Sequence, residues 1–506
     1  MPLKRYDFTD LYNDLTTPLV RPFDVAEACL KYATWRTRNG YQFNSAGWNE
    51  WDITRELQRD VPLTVRATLD PVAVPRIADT IDRAKYHSPL AAWVAAKLIS
   101  TGRSRKFTDD RYVLEHELKD LEGFAIPPSG PELLCGKGTD FSTRPGSDRN
   151  QYDPSAVEGL ALWRDEPLFH GDFKAIVDRT CAAQLDVAIG HDGRLKVALI
   201  QPNKSLLGLS VTMVSPKSDT AHRFFGVGPR RAKAQTKKIV EGLRLAAAAG
   251  AGIALLPELI TTKAEVAKVA AELSTQGNII SDRPDKQTLR VVVSGSYHHV
   301  DAGNKQRNTT KVFFPQSPSP MLQREHSKSG MFVYRTRQSD VEAWQHSPWI
   351  FHWPAVFALI RERIRGVLLR KDEKPLDFRE DVEPSKEIRL FAGSRFSVVV
   401  VICADLLNRT FRRVLETLQP SLILVCNMTP KQGDFASVAH ALILDCQSTL
   451  VGVNNPATWP GRGAVSGGMA GLPVRDGNKR VIEAHVPSNK ILIFDPKAKK
   501  LFEYPG

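Results

Sequence analysis

The sequence has no long apolar run and no cysteines at metal-binding spacing. No stretch approaches the about 18 apolar residues that a membrane-spanning helix needs, so we expect no membrane partner. The first 30 residues lack the apolar core of a secretion signal, because Asp7, Asp10 and Asp14 interrupt every candidate stretch. The six cysteines include no C-x-x-C pair, which argues against a zinc site or a disulfide framework. We therefore expect a protein of the reducing cytoplasm.

Several catalytic and nucleotide-binding motifs are missing as well. The chain has no G-x-S-x-G, no H-E-x-x-H and no G-x-G-x-x-G that opens a helix. Serine hydrolases of that type, zinc peptidases and dinucleotide-binding enzymes are therefore without support. The segment Gly136-Lys137-Gly138 lacks the glycine spacing and the following Ser or Thr of a phosphate-binding loop. We expect neither a cofactor nor a metal.

Charge is unevenly distributed along the chain. Residues 1–190 carry 24 basic and 28 acidic groups, whereas the remaining residues carry 45 basic and 28 acidic groups. The two net charges are therefore −4 and +17. Opposite signs predict that the two parts dock against each other. The uncancelled positive charge also fits a nucleic-acid or protein partner, and otherwise forms a solvated surface.

Residues 1–190 show the pattern of a mainly helical region. Helical spacing of apolar residues or of charge pairs occurs in residues 24–38, 79–85, 89–100, 109–121 and 173–185. Residues 127–155 are rich in Pro, Gly, Ser and Asp, which predicts a linker or a long ordered excursion. The pattern does not indicate a role for this region.

From residue 191 onward, short apolar segments alternate with longer amphipathic ones. The predicted strands are residues 195–201, 253–256, 289–294, 311–314, 396–402 and 422–425. The predicted helices are residues 231–249, 262–274 and 409–418. Fully apolar strands that alternate with helices indicate an α/β domain whose sheets are buried on both faces.

Two residues with reactive side chains follow buried strands directly. Glu258 comes after the strand IALL, and Cys403 comes after the strand SVVVVI. Strand ends in open sheets are rigid positions from which side chains project into a crevice. A carboxylate and a thiol brought together there form a general base and a nucleophile, and the reactive form of the thiol is an accessible thiolate of low pKa.

The segments of the second part also follow a recognisable order. They are LKVALIQPN at 195–203, GAGIALLPELI at 250–260, VVVSGSYHH at 291–299, NTTKVFFP at 308–315, REHSKSG at 324–330, VVVVICADLLNR at 398–409, LILVCNM at 422–428, LVGVNNP at 450–456, GRGAVSGGMAG at 461–471 and KILIFDP at 490–496. In this order the segments resemble the nitrilase superfamily of carbon–nitrogen hydrolases. The resemblance implies a four-layer α-β-β-α sandwich over residues 191–506, preceded by the mainly helical region.

The resemblance also assigns roles to individual residues. It implies that Glu258 is the general base, Lys328 the oxyanion-stabilising cation and Cys403 the nucleophile, with the backbone N–H of Ala404 as a second oxyanion donor. The alternative cation is Arg335. Members of the family often have an aromatic residue where this chain has Ala404, and a Tyr-Arg-Lys run where this chain has His-Ser-Lys.

The segment between Lys328 and Cys403 is longer than the resemblance predicts. Its excess is a basic insertion at about residues 335–388, in which residues 361–374 are the best candidate for polyanion binding. The family's auxiliary acid should lie in this segment, as either Glu342 or Glu362. We expect Cys426 and Cys446 to belong to the core, and His298, His299 and His326 to be structural or to support the site.

The resemblance implies hydrolysis of a non-peptide carbon–nitrogen bond through a cysteine thioester. The expected substrate is a small amide, or less readily a nitrile, and family members commonly form homo-oligomers. The alternative is a nitrilase-like sensor or effector module in a larger assembly, such as a bacterial defence system, which binds nucleic acid or a protein through its basic face.

Overall fold

The computed structural model describes a large part of the chain. The described residues are 7–16, 22–38, 53, 57, 73–96, 132–136, 156–157, 160–164, 168–170, 173–178, 180–188, 195–205, 208–214, 222–275, 289–315, 321–331, 333–336, 376–393, 397–418, 420–429, 432–446, 448–459, 463–472, 481–485, 490–496 and 500–505.

The N-terminal region contains helices α1 (Phe8–Thr16), α2 (Pro22–Arg38) and α3 (Ala73–Arg83), and residues 88–96 are also helical. These segments share an apolar core of their own, which includes Leu15, Leu30, Ile81 and Trp93. The helices predicted at residues 24–38, 79–85 and 89–100 are therefore confirmed where they are described, whereas the one predicted at residues 109–121 lies outside the described residues.

The region predicted as a linker contains a strand. Strands β1 (Glu132–Gly136), β2 (Ala156–Val157) and β3 (Leu160–Arg164) form a small antiparallel sheet in the order β1-β3-β2. Because β1 lies within residues 127–155, part of this Pro- and Gly-rich segment is an ordered excursion rather than a plain linker.

The rest of the described chain alternates strands and helices. The strands are β4 (Leu168–His170), β5 (Phe173–Asp178), β6 (Val197–Leu199), β7 (Leu209–Val214), β8 (His222–Pro229), β9 (Ile253–Leu255), β10 (Val291–Val300), β11 (Gln306–Phe314), β12 (Leu322–Ser327), β13 (Val333–Thr336), β14 (Leu376–Glu380), β15 (Glu387–Ala392), β16 (Ser397–Ile402), β17 (Leu422–Asn427), β18 (Thr449–Asn454), β19 (Thr458–Trp459), β20 (Gly463–Ala464), β21 (Gly468–Gly471), β22 (Val481–Ala484), β23 (Ile491–Asp495) and β24 (Lys500–Tyr504). The helices are α4 (Ala182–Ala188), α5 (Ala232–Ala248), α6 (Lys263–Thr275), α7 (Arg409–Leu418) and α8 (Gln432–Cys446).

Two large mixed sheets face each other. One has seven strands in the order β12-β11-β10-β9-β6-β23-β24, and the other has eight in the order β22-β21-β18-β17-β16-β15-β5-β4. Side chains of both sheets, such as Val293 and Val400, interlock with those of α4 in a shared apolar core. This burial explains why the central strands are apolar without alternation.

Helices cover the outer face of each sheet. Apolar residues of α5 and α6, such as Leu243 and Val269, pack on the seven-stranded sheet. Residues of α7 and α8, such as Leu415 and Ile443, pack on the eight-stranded sheet. The four-layer α-β-β-α sandwich predicted for the second part of the chain is therefore confirmed.

The N-terminal boundary of the sandwich differs from the prediction at residue 190. Strand β5 pairs in parallel with β15, and β4 pairs with β5 at the edge of the eight-stranded sheet. The helix predicted at residues 173–185 is instead strand β5 followed by the short helix α4. The alternation of buried Phe173 and Ala175 with partly exposed neighbours is the period of a half-buried strand, and this sheet contact overrides the helical spacing. The described residues between 168 and 188 thus belong to the sandwich.

A separate sheet of four strands has the order β13-β14-β8-β7. Strand β14 pairs in parallel with β8 and antiparallel with β13, so that Thr336 lies opposite Leu376. The predicted basic insertion at residues 335–388 therefore ends too late, because β14 and the start of β15 are parts of the sheets. Residues 361–374 lie outside the described residues.

The described residues contain neither a helix suited to span a membrane nor a cluster suited to bind a metal ion. None of the helices there combines the length and the apolar character that a membrane crossing requires. In the same part of the chain, no group of three or more His, Cys, Asp or Glu side chains is arranged to hold a metal ion.

We predict that Gly295→Ala is strongly destabilising. Gly295 lies at a bulge in β10 with φ +70°, and an added Cβ would collide with the carbonyl oxygen of Pro257. The strained φ and the collision should together lower the free energy of unfolding by about 2 kcal/mol or more, measured by denaturant titration.

The matched control is Gly433→Ala in helix α8. Among the described residues, nothing lies within 4 Å of the position of an added Cβ there. This variant should be neutral or more stable by up to about 1 kcal/mol, because Ala is the better helix former. Equal stability of the two variants would contradict the close approach at Gly295.

Candidate active site

Cys403 lies immediately after strand β16 and is fully buried. Its backbone has φ +44°, in the left-handed region, and it begins a short 3₁₀ turn, Cys403–Leu407. A non-glycine residue in this conformation costs of the order of 1–3 kcal/mol and persists only where the surroundings impose it. The sharp turn directs the chain away from the sheet where the thiol is placed, so the strain is located at the position of the expected nucleophile.

Glu258 follows strand β9 in a similar way. The next residue, Leu259, has φ +55°, and its N–H donates to the hydroxyl of Ser296 at 3.3 Å. The backbone N–H of Glu258 donates to the carbonyl oxygen of Asn427, at the end of β17, also at 3.3 Å. This bond joins the carboxyl end of β9 to the carboxyl end of β17 in the facing sheet, which explains how Glu258 and Cys403 come together from different sheets.

Lys328 follows strand β12 and has an exposed fraction of only 1%. Its Nζ donates to Glu258 Oε1 at 2.6 Å and to Glu380 Oε2 at 2.7 Å. The side chain of Cys403 completes the cluster, because its thiol interacts electrostatically with both Glu258 and Lys328. The structure therefore brings Glu258, Lys328 and Cys403 together from three separate strand ends, and the alternative cation, Arg335, lies in β13.

The acid beside Lys328 is Glu380, at the end of strand β14, and not one of the two predicted. Glu342 and Glu362 both lie outside the described residues. Burial alternates along β14, so that Glu380 shares the buried face with Phe378. This period of two is the signal that could have located the acid, because it places a carboxylate next to a buried aromatic residue on one face of a strand.

Asn308 and His298 hold Glu380 in place; His298 was expected to be structural or to support the site, whereas Asn308 was not predicted. The Nδ2 group of Asn308 donates to Glu258 Oε1 at 3.0 Å and to Glu380 Oε1 at 2.7 Å. The Nε2 atom of His298 lies 2.8 Å from the same oxygen of Glu380. The two residues are direct partners across the β10–β11 hairpin, so their side chains emerge on one face.

The two carboxylic acids have pKa values displaced in opposite directions. Burial raises the pKa of Glu258, and the repulsion from Glu380 adds to this effect, while Lys328 opposes it. Burial also acts to raise the pKa of Glu380, but the attraction of Lys328 and the hydrogen bond from His298 outweigh it, so this pKa is lowered. Of the two acids, Glu380 is therefore the one whose charged form the surroundings favour.

The thiol and the ammonium complete this electrostatic balance. Burial raises the pKa of the Cys403 thiol, and the nearby Glu258 raises it further. Burial opposes the charge of Lys328, yet the two carboxylates outweigh it and raise its pKa. The structure differs from the expected accessible thiolate of low pKa, because the thiol is fully buried and its pKa is raised. A general base is needed to activate it.

Asp405 connects the segment of Cys403 with that of Lys328. This side chain is fully buried, and its Oδ1 accepts the N–H groups of Ser329 at 2.8 Å and Gly330 at 2.6 Å. Its other oxygen, Oδ2, lies 3.9 Å from Nε2 of His326. Asp405 thus fixes the turn after β16 to the turn after β12.

The remaining predicted side chains have simpler environments. Cys426 is fully buried in the core between the two sheets, as expected. The Nε2 atom of His299 lies 3.0 Å from the hydroxyl of Thr309, away from the cluster. The side chain of Cys446 lies outside the described residues.

Comparison with known proteins gives matches only among solved structures. No family model matches the sequence, and no curated protein matches it. An amidase from Nesterenkonia sp. is similar over 60% of this chain and 89% of its own, with 11% identity and a TM-score of 0.37. Nit3 of Saccharomyces cerevisiae, described as a member of branch 10 of the nitrilase superfamily, gives the same coverage with 13% identity and a TM-score of 0.34.

A glutamine-dependent NAD+ synthetase from Acinetobacter baumannii is also similar. The match covers 61% of this chain and 47% of the synthetase, with 15% identity and a TM-score of 0.35. TM-scores this low do not establish a shared function. The contacts among the side chains of this chain are what support one.

We predict that Glu380→Gln destabilises the protein. The substitution takes one of its two carboxylate partners from the buried Lys328, and loss of a buried charge partner costs about 3 kcal/mol in unfolding free energy. Because the pKa of Glu380 is lowered on folding, its stabilisation is present above the ordinary carboxyl range and is lost as the pH falls through and below that range. The difference in unfolding free energy from the wild type should shrink on acidification.

The control for this measurement is Glu383→Gln. Glu383 pairs with Lys305 at 2.5 Å, but both side chains are about half exposed. Such a surface pair contributes about 0–1 kcal/mol. If Glu383→Gln destabilises as much as Glu380→Gln, the special role of the buried acid is refuted.

We also predict that Asp405→Ala destabilises far more than Asp405→Asn. The Ala variant leaves the N–H groups of Ser329 and Gly330 without their acceptor, at a cost of about 3 kcal/mol. The Asn variant keeps an oxygen in the same place and should lose less than half of that. Thermal unfolding of both variants tests this, and equal losses would show that the charge, rather than the acceptor geometry, is what matters.

Proposed function

We propose that this chain is a carbon–nitrogen hydrolase of the nitrilase type, which cleaves a small amide through a thioester on Cys403. The observation that supports this most is the buried cluster of Glu258, Lys328 and Cys403. It contains a nucleophile, a carboxylate close enough to act on the pKa of that nucleophile, and a fixed cation that interacts with both. These are the parts that acyl transfer from nitrogen to sulfur requires.

The first half of the reaction forms the thioester. Glu258 accepts the thiol proton as Cys403 Sγ attacks the carbonyl carbon of the amide. The negative charge that develops on the substrate oxygen is stabilised by the ammonium of Lys328 and by the backbone N–H of Ala404, each worth about 3–4 kcal/mol. The carbon–nitrogen bond then breaks, and Glu258 returns its proton to the leaving nitrogen, which departs as ammonia or an amine.

The second half hydrolyses the thioester. Glu258 takes a proton from a water molecule, which attacks the same carbon, and the oxyanion is stabilised by the same two donors. The carbon–sulfur bond breaks, a carboxylic acid leaves, and the proton on Glu258 returns to the sulfur. A carboxyl whose pKa is raised above its ordinary value suits this repeated exchange, since it both accepts and donates readily.

The surroundings of the cluster favour an uncharged acyl group. Leu259 follows Glu258 directly, and Met428 follows the end of β17, the strand beside β16. Both belong to a small apolar cluster with Leu209 and Val227. An amide with a short aliphatic or aromatic acyl part meets apolar contacts there, whereas a charged one would lose its hydration without a partner.

The experiment is a panel of small aliphatic and aromatic amides and nitriles, with release of ammonia measured for the full chain. Added hydroxylamine should divert the acyl group of a thioester to a hydroxamate, which a colour assay detects. Fluoroacetamide serves as a covalent probe, because its acetamide moiety adds to the active-site cysteine in a variant of the Nesterenkonia amidase. We expect it to modify Cys403, as seen by peptide mass mapping.

Cys403→Ala should abolish ammonia release, hydroxamate formation and modification. The matched control is Cys29→Ala, because Cys29 is equally buried but belongs to the separate N-terminal core. That variant should keep full activity. Ammonia release that persists in Cys403→Ala, or an absence of both turnover and modification across the panel in the wild type, would overturn the proposal.

A further inference from the structure

We infer that His298 is a positioning residue for this reaction, which donates a hydrogen bond from Nε2 and so holds Glu380 against Lys328. The expected effect of His298 on the reaction rate rests on the proposed function. The hydrogen bonding of its ring does not depend on that function. Nothing in the order of the sequence segments or in the proposed mechanism uses this residue.

Both nitrogens of the His298 ring have defined partners. The backbone N–H of Val227, in β8, donates to Nδ1 at 3.1 Å. On the other side of the ring, Nε2 lies 2.8 Å from Glu380 Oε1. The side chain has an exposed fraction of 1%, so water does not compete for either nitrogen.

These two contacts determine where the proton of the ring lies. A backbone N–H can only donate, so Nδ1 must accept and carries no proton. The one remaining proton is on Nε2, from which it is donated to Glu380. A second proton on Nδ1 would break the bond from Val227 and place two donors face to face in a buried site, so the geometry fits a ring that is protonated on Nε2 alone.

The orientation of the ring is fixed by its neighbours. Phe225, two residues before Val227 on the same strand, stacks on the imidazole with ring centroids 4.7 Å apart and planes 18° apart. Strand β8 pairs in parallel with β14, which carries Glu380. The four-stranded sheet therefore holds the ring from one side and presents the acid to it from the other.

The charges that face the ring explain why a neutral donor is useful. Glu380 Oε1 accepts from His298 and Asn308, while its Oε2 accepts from Lys328. Glu258 and Cys403 complete the set of titratable groups of the cluster. A positively charged ring would compete with Lys328 for the carboxylate of Glu380. A neutral ring donates to one lone pair of Glu380 Oε1, and Lys328 remains the positive charge beside the reacting atoms.

The first test is the tautomer itself, which does not depend on activity. Protein labelled with ¹⁵N-histidine should give, in a long-range ¹H–¹⁵N correlation spectrum, one ring with a protonated Nε2 and a bare Nδ1. This signal should be missing in His298→Gln. A spectrum in which this ring carries a proton on Nδ1 overturns the inference whether or not the chain hydrolyses amides.

The second test uses two substitutions with opposite expectations. Gln can place an N–H near the position of Nε2, whereas Phe keeps the stacking on Phe225 and loses the donor. We expect His298→Phe to lower kcat by about 10–100-fold with little change in KM. The acid limb of its pH profile should move to higher pH, because Glu380 loses a donor that favours its charged form. His298→Gln should recover most of the rate.

The matched control is the neighbouring residue, as His299→Phe. Nε2 of His299 contacts the hydroxyl of Thr309 rather than the acid, so this variant should keep its rate and a normal pH profile. Thermal unfolding of each variant separates rate effects from loss of the fold. Equal activity in His298→Gln and His298→Phe, or an unshifted pH profile in the latter, would reduce His298 to a packing residue and refute the inference.

Discussion

The arrangement of this site depends on one buried ammonium group. Lys328 is removed from water and is held between Glu258 and Glu380 at 2.6 and 2.7 Å. A buried cation survives only with such partners, because the loss of hydration is otherwise far larger than any stability of the fold. The hairpin, the small sheet and the turns around this group serve to bring two carboxylates to it from different parts of the chain.

Two acids that share one lysine do not have equal roles. Both carboxylate oxygens of Glu380 accept hydrogen bonds, which stabilise its negative charge. Glu258 shares its carboxylate with the thiol of Cys403, and burial makes its charge less favourable. When neighbouring acids have pKa values displaced in opposite directions, one is a fixed charge and the other a proton carrier. A single lysine thereby differentiates two chemically identical side chains.

The sequence allowed the strands of Glu258 and Cys403 to be located, because each is an apolar run that ends at a polar residue. Lys328 could be located only from the order of the surrounding segments, since no apolar run that ends at a polar residue singles out this lysine. Glu380 was missed because the auxiliary acid was predicted from its position in the chain between Lys328 and Cys403. The alternation of apolar and polar residues along β14 was not used. Strand β5 was missed for another reason, because a half-buried segment of six residues fits both periods until the partner strand is known.

The pairing of β13 with β14 has a consequence for how this protein can vary. The chain departs after Thr336 and returns at Leu376, and these two residues are direct partners in the sheet. Whatever length of chain joins them, its ends are already fixed beside each other, so each doubling of that length adds only about 0.6 kcal/mol of closure entropy. Glu380, at the far end of the same strand, keeps its place through the sheet. New sequence can therefore be inserted between β13 and β14, close to the site, without disturbing the acid that holds the lysine.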